Sequence, residues 1–181
     1  MVFLKASILF HLLLLTLSHN LVSADEKLVM KECQNAKVPI ACFQCLEADP
    51  SSRKTDIKGL AAIMLTCVGG QADIMTANMS DWAATEKDPL LKNMYEECQE
   101  DFASAKQEIL TAKVALTNNN PGESLKCLGI AFNGYFDCHD AVIFIITRIP
   151  KEKSDPIIKT LSLYNDLSED ASSLIESLIH H

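Results

Sequence analysis

The sequence predicts an all-α protein: an antiparallel four-helix up-and-down bundle, preceded by an N-terminal helical hairpin and stapled by disulfides. Three observations carry this. Apolar residues recur at spacings of three, four and seven in four long segments. Strand-like alternation is hardly visible anywhere, and no repeat or low-complexity tract interrupts the pattern. All seven cysteines lie beyond an apolar N-terminal leader, and export makes disulfides the default use of cysteine.

The leader comes first. Lys5 supplies a positive start, Ile8 to Leu17 is nearly unbroken apolar chain, and Val22-Ser23-Ala24 fits a small-residue cleavage site. Residues 1–24 therefore read as a secretory signal and residues 25–181 as one domain. The run is short for a membrane span, and the later stretch Ala141 to Ile146 stops at Arg148. The expected product is secreted and extracellular, without a membrane anchor.

Residues 25–52 read as the hairpin. Lys27 to Gln34 and Ile40 to Glu47 are two short helices joined at Lys37-Val38-Pro39, and Asp49-Pro50-Ser51-Ser52 closes the unit. Residues 55–180 carry the bundle. Its first helix is capped at Thr55 or Asp56 and shows the stripe Ile57, Leu60, Ala61, Met64, Cys67, Val68, Ile74, Met75, Met79 and Trp82. Gly69-Gly70 weakens this helix by about 1 kcal/mol per glycine relative to alanine. The pair is expected to admit a closely packed neighbour or a kink.

The second bundle helix starts at Pro89, a first-turn proline, and its stripe runs from Leu91 through Met94, Tyr95, Cys98 and Phe102 to Leu116. Asn118-Asn119-Asn120 ends it. Asn120-Pro121-Gly122-Glu123 has the grammar of a new helix: an Asn cap, proline at the first position, and Glu three residues on. That helix passes through Cys127, Ile130, Phe132 and Cys138 to about Ile146. Pro150-Lys151-Glu152-Lys153 reads as a charged loop. Ser154 or Asp155 then caps a last helix with the stripe Ile157, Leu161, Tyr164, Leu167, Ala171, Leu174, Ile175 and Leu178.

Charge and site chemistry narrow the function. The formal net charge is −8, and losing Lys5 with the leader makes the mature chain one unit more acidic. Such a chain is repelled by nucleic acid and anionic membrane alike. Beyond the leader only His139, His180 and His181 are histidines; the body of the chain offers only His139, which reads as a helix-surface residue beside Cys138 rather than as the base of a nucleophile–base constellation. Cys42-x-x-Cys45 has no second CxxC and no histidine partner set, so neither zinc nor another metal is expected, and no cofactor. The carboxylate pairs Glu96-Glu97 and Glu100-Asp101 read as a solvated helix face. An odd number of cysteines leaves at least one thiol unpaired. Catalysis is not expected.

The order of these pieces resembles the plant invertase and pectin methylesterase inhibitor family, across essentially the whole mature chain. The likeness rests on Cys33 and Cys42 in a helical hairpin, then Leu46-Glu47-Ala48-Asp49-Pro50-Ser51-Ser52, then Thr55-Asp56-Ile57-Lys58-Gly59-Leu60-Ala61. Pro89-Leu90-Leu91-Lys92 leads on to Cys98, and Asp137-Cys138-His139-Asp140-Ala141 closes the series. The resemblance implies two disulfides, Cys33–Cys42 and Cys98–Cys138, contributing roughly 3 and 4 kcal/mol by loop entropy. Cys45, Cys67 and Cys127 exceed that pattern. Two of them could bond, or all three could be buried thiols, and packing is the simpler reading.

The resemblance further implies a secreted inhibitor, monomeric when free, that covers the active-site cleft of a cell-wall pectin methylesterase or an acid invertase in a one-to-one complex. Invertase inhibitors of this family resemble one another in a Pro-Lys-Phe segment between two bundle helices. The corresponding segment here is Asn119, Asn120, Pro121, Gly122 and Glu123, the candidate target-binding residues, with glycine and an acid where the cation and the aromatic stand. The same residues also read as plain capping groups. Contacts with a pectin methylesterase would use polar helix faces, with Gln71, Asn78 and Gln107 as candidates. Asn78-Met79-Ser80 is also a glycosylation sequon. The alternative is a secreted helical carrier of a small apolar ligand, which would need an internal cavity where an inhibitor is packed solid.

Overall fold

Three of the four bundle helices begin on the same local device. Asp56 accepts the Gly59 N–H at 2.9 Å, Asp88 accepts that of Leu90 at 2.9 Å, and Asn120 accepts that of Glu123 at 3.2 Å. Each side chain satisfies one amide of a helix start that has no carbonyl partner, worth about 1 kcal/mol. In two cases a proline follows at once, with its ring dihedral already helical. The computed structural model describes residues 24–180. The signal reading of residues 1–24 lies outside the described residues, apart from Ala24.

Helices α1 (Ala24–Gln34) and α2 (Pro39–Ala48) form the hairpin, and a 3₁₀ turn over Ser52–Lys54 leads into the bundle of α3 (Ile57–Thr85), α4 (Pro89–Thr117), α5 (Pro121–Ile145) and α6 (Lys151–Ser177). In the bundle, α4 packs between α3 and α5, while α6 closes the ring against both α3 and α5. The inward stripes bury Leu60, Met64, Met75, Met79, Tyr95, Phe102, Ile109, Leu128 and Tyr164. Phe102 and Tyr164 meet edge to face at 5.0 Å, and the Tyr164 hydroxyl donates to the Ala131 carbonyl at 3.3 Å. Burial pushes that phenol well above its ordinary range.

The hairpin is anchored to the bundle by polar and covalent links. The Asp170 carboxylate, on α6, accepts the Lys37 backbone N–H at 2.8 Å. Cys33–Cys42 joins α1 to α2, and Cys45–Cys67 joins α2 to α3, with Cα atoms 6.0 Å apart. The second bond corrects the expectation that the extra cysteines are packing residues: only Cys127 is a free, buried thiol among the described cysteines. Sequence spacing could not pair Cys45 with Cys67, because the folded-back hairpin creates their proximity.

Other expectations are corrected too. Helix α6 starts at Lys151, not at Ser154 or Asp155, because the Pro150 carbonyl accepts the N–H groups of Lys153 and Ser154 at 2.8 and 2.9 Å. The stretch read as a charged loop is thus helical, and Pro156 sits inside α6, where it withholds the one N–H that would reach back to Glu152. Ile74 and Ile130 leave their stripes, at 46% and 44% exposed. Ile74 precedes Met75 by one residue, which rotates it about 100° off the buried line.

Gly69-Gly70 neither breaks α3 nor receives a close neighbour: a Cβ on Gly69 would meet only Ile109 Cγ2 at 3.6 Å, and on Gly70 nothing within 4 Å. The pair opens a groove between α3 and α4. The close approach lies elsewhere, at Gly134, where a Cβ would stand 2.8 Å from the Asp101 carbonyl oxygen. Close by, the Cys98–Cys138 disulfide links α4 and α5 with Cα atoms 4.8 Å apart.

Candidate functional site

The corner between α4 and α5 uses three asparagines in three ways. Asn118 is the last half-helical residue of α4. Asn119 adopts φ 56°, the left-handed conformation that asparagine tolerates better than other side-chain-bearing residues. This turns the chain so that the Asn119 and Asn120 N–H groups donate back to Leu116 and Ala115, at 3.1 and 3.0 Å, closing the helix end as a Schellman motif. Asn120 then caps α5. The corner is a rigid, fully hydrogen-bonded turn with Asn118, Asn119, Asn120 and Gly122 exposed at its tip.

Its charge depends on residues distant in sequence. Lys58, in the first turn of α3, donates to Asn119 Oδ1 at 2.9 Å. Glu123 is paired with Lys126 at 3.1 Å, so its carboxylate does not stand as a lone anion. Lys58 thus brings an ammonium group from another helix to the corner, while that of Lys126 is paired with Glu123. The sequence pattern put Gly122 and Glu123 where a cation and an aromatic would be, and no local signal pointed to Lys58. Its placement follows from the packing of α3 beside α4.

Glu123 has a second neighbour, the Cys127 thiol, whose Sγ lies 3.8 Å from Glu123 Oε1. Burial first, then the Glu123 charge, push that thiol above its ordinary range, which makes it a poor nucleophile. His139 stacks near Tyr135, ring centroids 5.6 Å apart, with Nδ1 3.2 Å from the adjacent Asp140. No group of three metal-ligating side chains occurs among the described residues.

The other candidates are spread over two helices. Gln71 and Asn78, seven residues apart on α3, lie on one face and are half-buried, and Gln107 on α4 is exposed. The structure does not bring them together with the α4–α5 corner into one cluster. Recesses lie on the surface, where a carrier would need one inside. One of them, about 610 Å³, is an open groove over α6 lined by Val38, Ile146, Ile158 and Leu163 among others.

No family model matches the sequence. Over 120 residues the chain is 30% identical to a pectinesterase inhibitor of Actinidia deliciosa, a match covering 66% of this chain and 65% of that protein. Over 110 residues it is 34% identical to the cell wall / vacuolar inhibitor of fructosidase 2 of Arabidopsis thaliana, covering 55% and 59% respectively. The chain therefore spans somewhat less than two thirds of each relative's length.

Solved structures agree on the fold. A mutant form of a pectin methylesterase inhibitor from Arabidopsis superposes with a TM-score of 0.67 at 18% identity, covering 82% of this chain and 95% of that one. A pectin methylesterase inhibitor from Arabidopsis thaliana gives 0.60 at 19% identity, covering 85% and 97%.

Proposed function

We propose that this chain, a member of the plant invertase and pectin methylesterase inhibitor family, inhibits a cell-wall pectin methylesterase by covering its substrate cleft in a one-to-one complex. The observation that carries this reading is the α4–α5 corner. Gly122 and Glu123 are engaged in starting α5, so no aromatic side chain projects there to enter a deep pocket. What is presented there is a hydrogen-bonded turn, with the polar helix faces of Gln71, Asn78 and Gln107 lying apart from it. Such a preorganised surface loses little conformational entropy on docking.

Acid invertase is the second reading, and Lys58 is the observation that favours it. An ammonium beside Asn119 supplies, from another helix, the cation missing between Pro121 and Glu123, where it could meet carboxylates of a glycosidase cleft. Under either reading the protein is exported by the signal in residues 1–24 and acts in the apoplast as a monomer until it binds. A glycan on Asn78 would sit on the half-buried flank of α3 and obstruct that face.

The experiment is a titration of the purified oxidised protein against a plant pectin methylesterase and an acid invertase at mildly acidic pH. Stoichiometric loss of esterase activity alone is the expected result. Loss of invertase activity alone would replace the first reading with the second. Activity of both enzymes left intact would sink both.

A further inference from the structure

Two polar clamps bridge α3 and α4, with an uncovered apolar floor between them. Lys113 on α4 donates to Thr66 Oγ1 on α3 at 2.6 Å. Lys106, two turns back along α4, is ion-paired with Asp73 on α3. Seven residues separate the clamps on each helix, which sets them roughly 10 Å apart at 1.5 Å per residue. The groove between them measures about 270 Å³ and has Leu65 and Ile109 in its lining, both of them core residues. Leu110 stands beside them at 47% exposed.

The groove exists because side chains are missing from one wall. A Cβ on Gly70 would find nothing within 4 Å, and one on Gly69 only Ile109 Cγ2 at 3.6 Å. Two mid-helix glycines cost about 1 kcal/mol each relative to alanine, and the unfilled space forfeits dispersion contacts besides. Any small side chain could recover both losses without a clash. The space is left open along the helix pair, where a ligand could lie.

The two clamps differ in charge. Asp73 neutralises Lys106, whereas the half-buried Lys113 meets a hydroxyl. Asp49 also attracts the Lys113 ammonium, but this is the weakest influence on that carboxylate. Ser51 already holds it through its backbone N–H at 2.8 Å and its hydroxyl at 2.7 Å. One end of the apolar floor is thus a neutral ion pair, and the other is a cation with N–H donors to spare, since an ammonium has three.

This asymmetry specifies the occupant. A carboxylate matches the Lys113 end, and an apolar body of about two helical turns in length covers Leu65, Ile109 and the glycine wall. A cationic head would be repelled by Lys113, and a second anionic group at the far end would meet Asp73. We propose that the α3–α4 groove binds a small amphipathic monocarboxylate, its head held by Lys113 and Thr66 and its tail laid over Gly69 and Gly70. The site stands whichever enzyme the protein inhibits, and whether or not it inhibits one.

The test titrates octanoate into the isotope-labelled, oxidised protein at neutral pH, followed by NMR. Octanol, octylammonium and suberate, the last with a carboxylate at each end, serve as controls. Octanoate shifts the Gly69 and Gly70 amide resonances saturably and binds about tenfold more tightly than octanol or suberate, while octylammonium does not bind. Lys113→Gln lowers octanoate affinity to that of octanol. Gly70→Leu fills the groove, and its Cβ meets no neighbour. That variant loses octanoate binding yet melts no lower than wild type, because leucine is the better helix former. Unchanged octanoate affinity in either variant overturns the proposal, as does equal affinity for octanoate and any of the three controls. So does a titration in which the Gly69 and Gly70 resonances stay in place.

Discussion

Gly134 on α5 lies directly against the Asp101 carbonyl on α4: a methyl group on its Cα would stand 2.8 Å from that oxygen. The obstacle is backbone, which cannot rotate aside. The Cys98–Cys138 bond, four residues further along α5 and three residues back along α4, lies at the same crossing. Sequence and geometry meet here, since only glycine permits the separation that the disulfide then locks.

Gly134→Ala is therefore expected to destabilise the fold by roughly 1–3 kcal/mol through overpacking, lowering the melting temperature by several degrees. Gly129→Ala provides the opposite sign. It lies on the same helix with nothing within 4 Å of an added Cβ, so it should gain up to about 1 kcal/mol of helix propensity. Thermal melts of the two variants beside wild type decide this. Equal effects would mean that the α4–α5 approach is looser than described.

The same crossing gives stability a pH dependence. Burial, and then the charges of Asp137, Glu97 and Glu100, raise the Asp101 carboxyl from 3.8 to about 6. The folded state holds this proton more tightly than the unfolded chain. Its contribution is complete below pH about 4 and is lost as pH rises through about 6. Glu86 works in the other direction, since the Asp88 and Lys87 backbone N–H groups hold its carboxyl below the ordinary range, so its contribution fades in acid. Asp101→Asn isolates the first effect. Between pH 4 and 7 the variant should lose less melting temperature than wild type, and parallel curves would contradict the assignment.

Each crosslink makes a separable contribution. By loop entropy, removing Cys98–Cys138 through a double alanine substitution costs about 4 kcal/mol, and removing Cys45–Cys67 about 3. Peptide mapping without reduction should recover three crosslinked pairs. Alkylation of the denatured, unreduced chain should modify Cys127 alone. Labelling of Cys45 or Cys67 as well would show that their bond does not form in the purified protein.

The corner residues can be separated from the scaffold. Lys58→Ala removes a solvent-screened hydrogen bond and should cost well under 1 kcal/mol of stability, yet weaken the inhibited complex several-fold. The double variant Gly122→Lys, Glu123→Phe should gain invertase affinity. Inhibition constants against both enzymes, measured beside melting temperatures, check both outcomes. If the double variant gains nothing, this corner is not where target enzymes are told apart.

Much of this protein was written locally. Asp56, Asp88 and Asn120 place three helix starts from side chains that reach only two or three residues along the chain, and the three-to-four spacing of apolar residues assigns the buried face of each helix. Where a neighbouring helix decides, the sequence is silent. Pairing of Cys45 with Cys67 needs the hairpin folded back onto α3, and Lys58 reaches Asn119 only because α3 and α4 lie side by side. Gly134 and Gly69 look alike in the chain, yet one faces a backbone carbonyl and the other an open groove. Periodicity records which way a side chain points on its own helix. What it meets there is set by the register and separation of the next helix, and these emerge only when all four stripes pack at once.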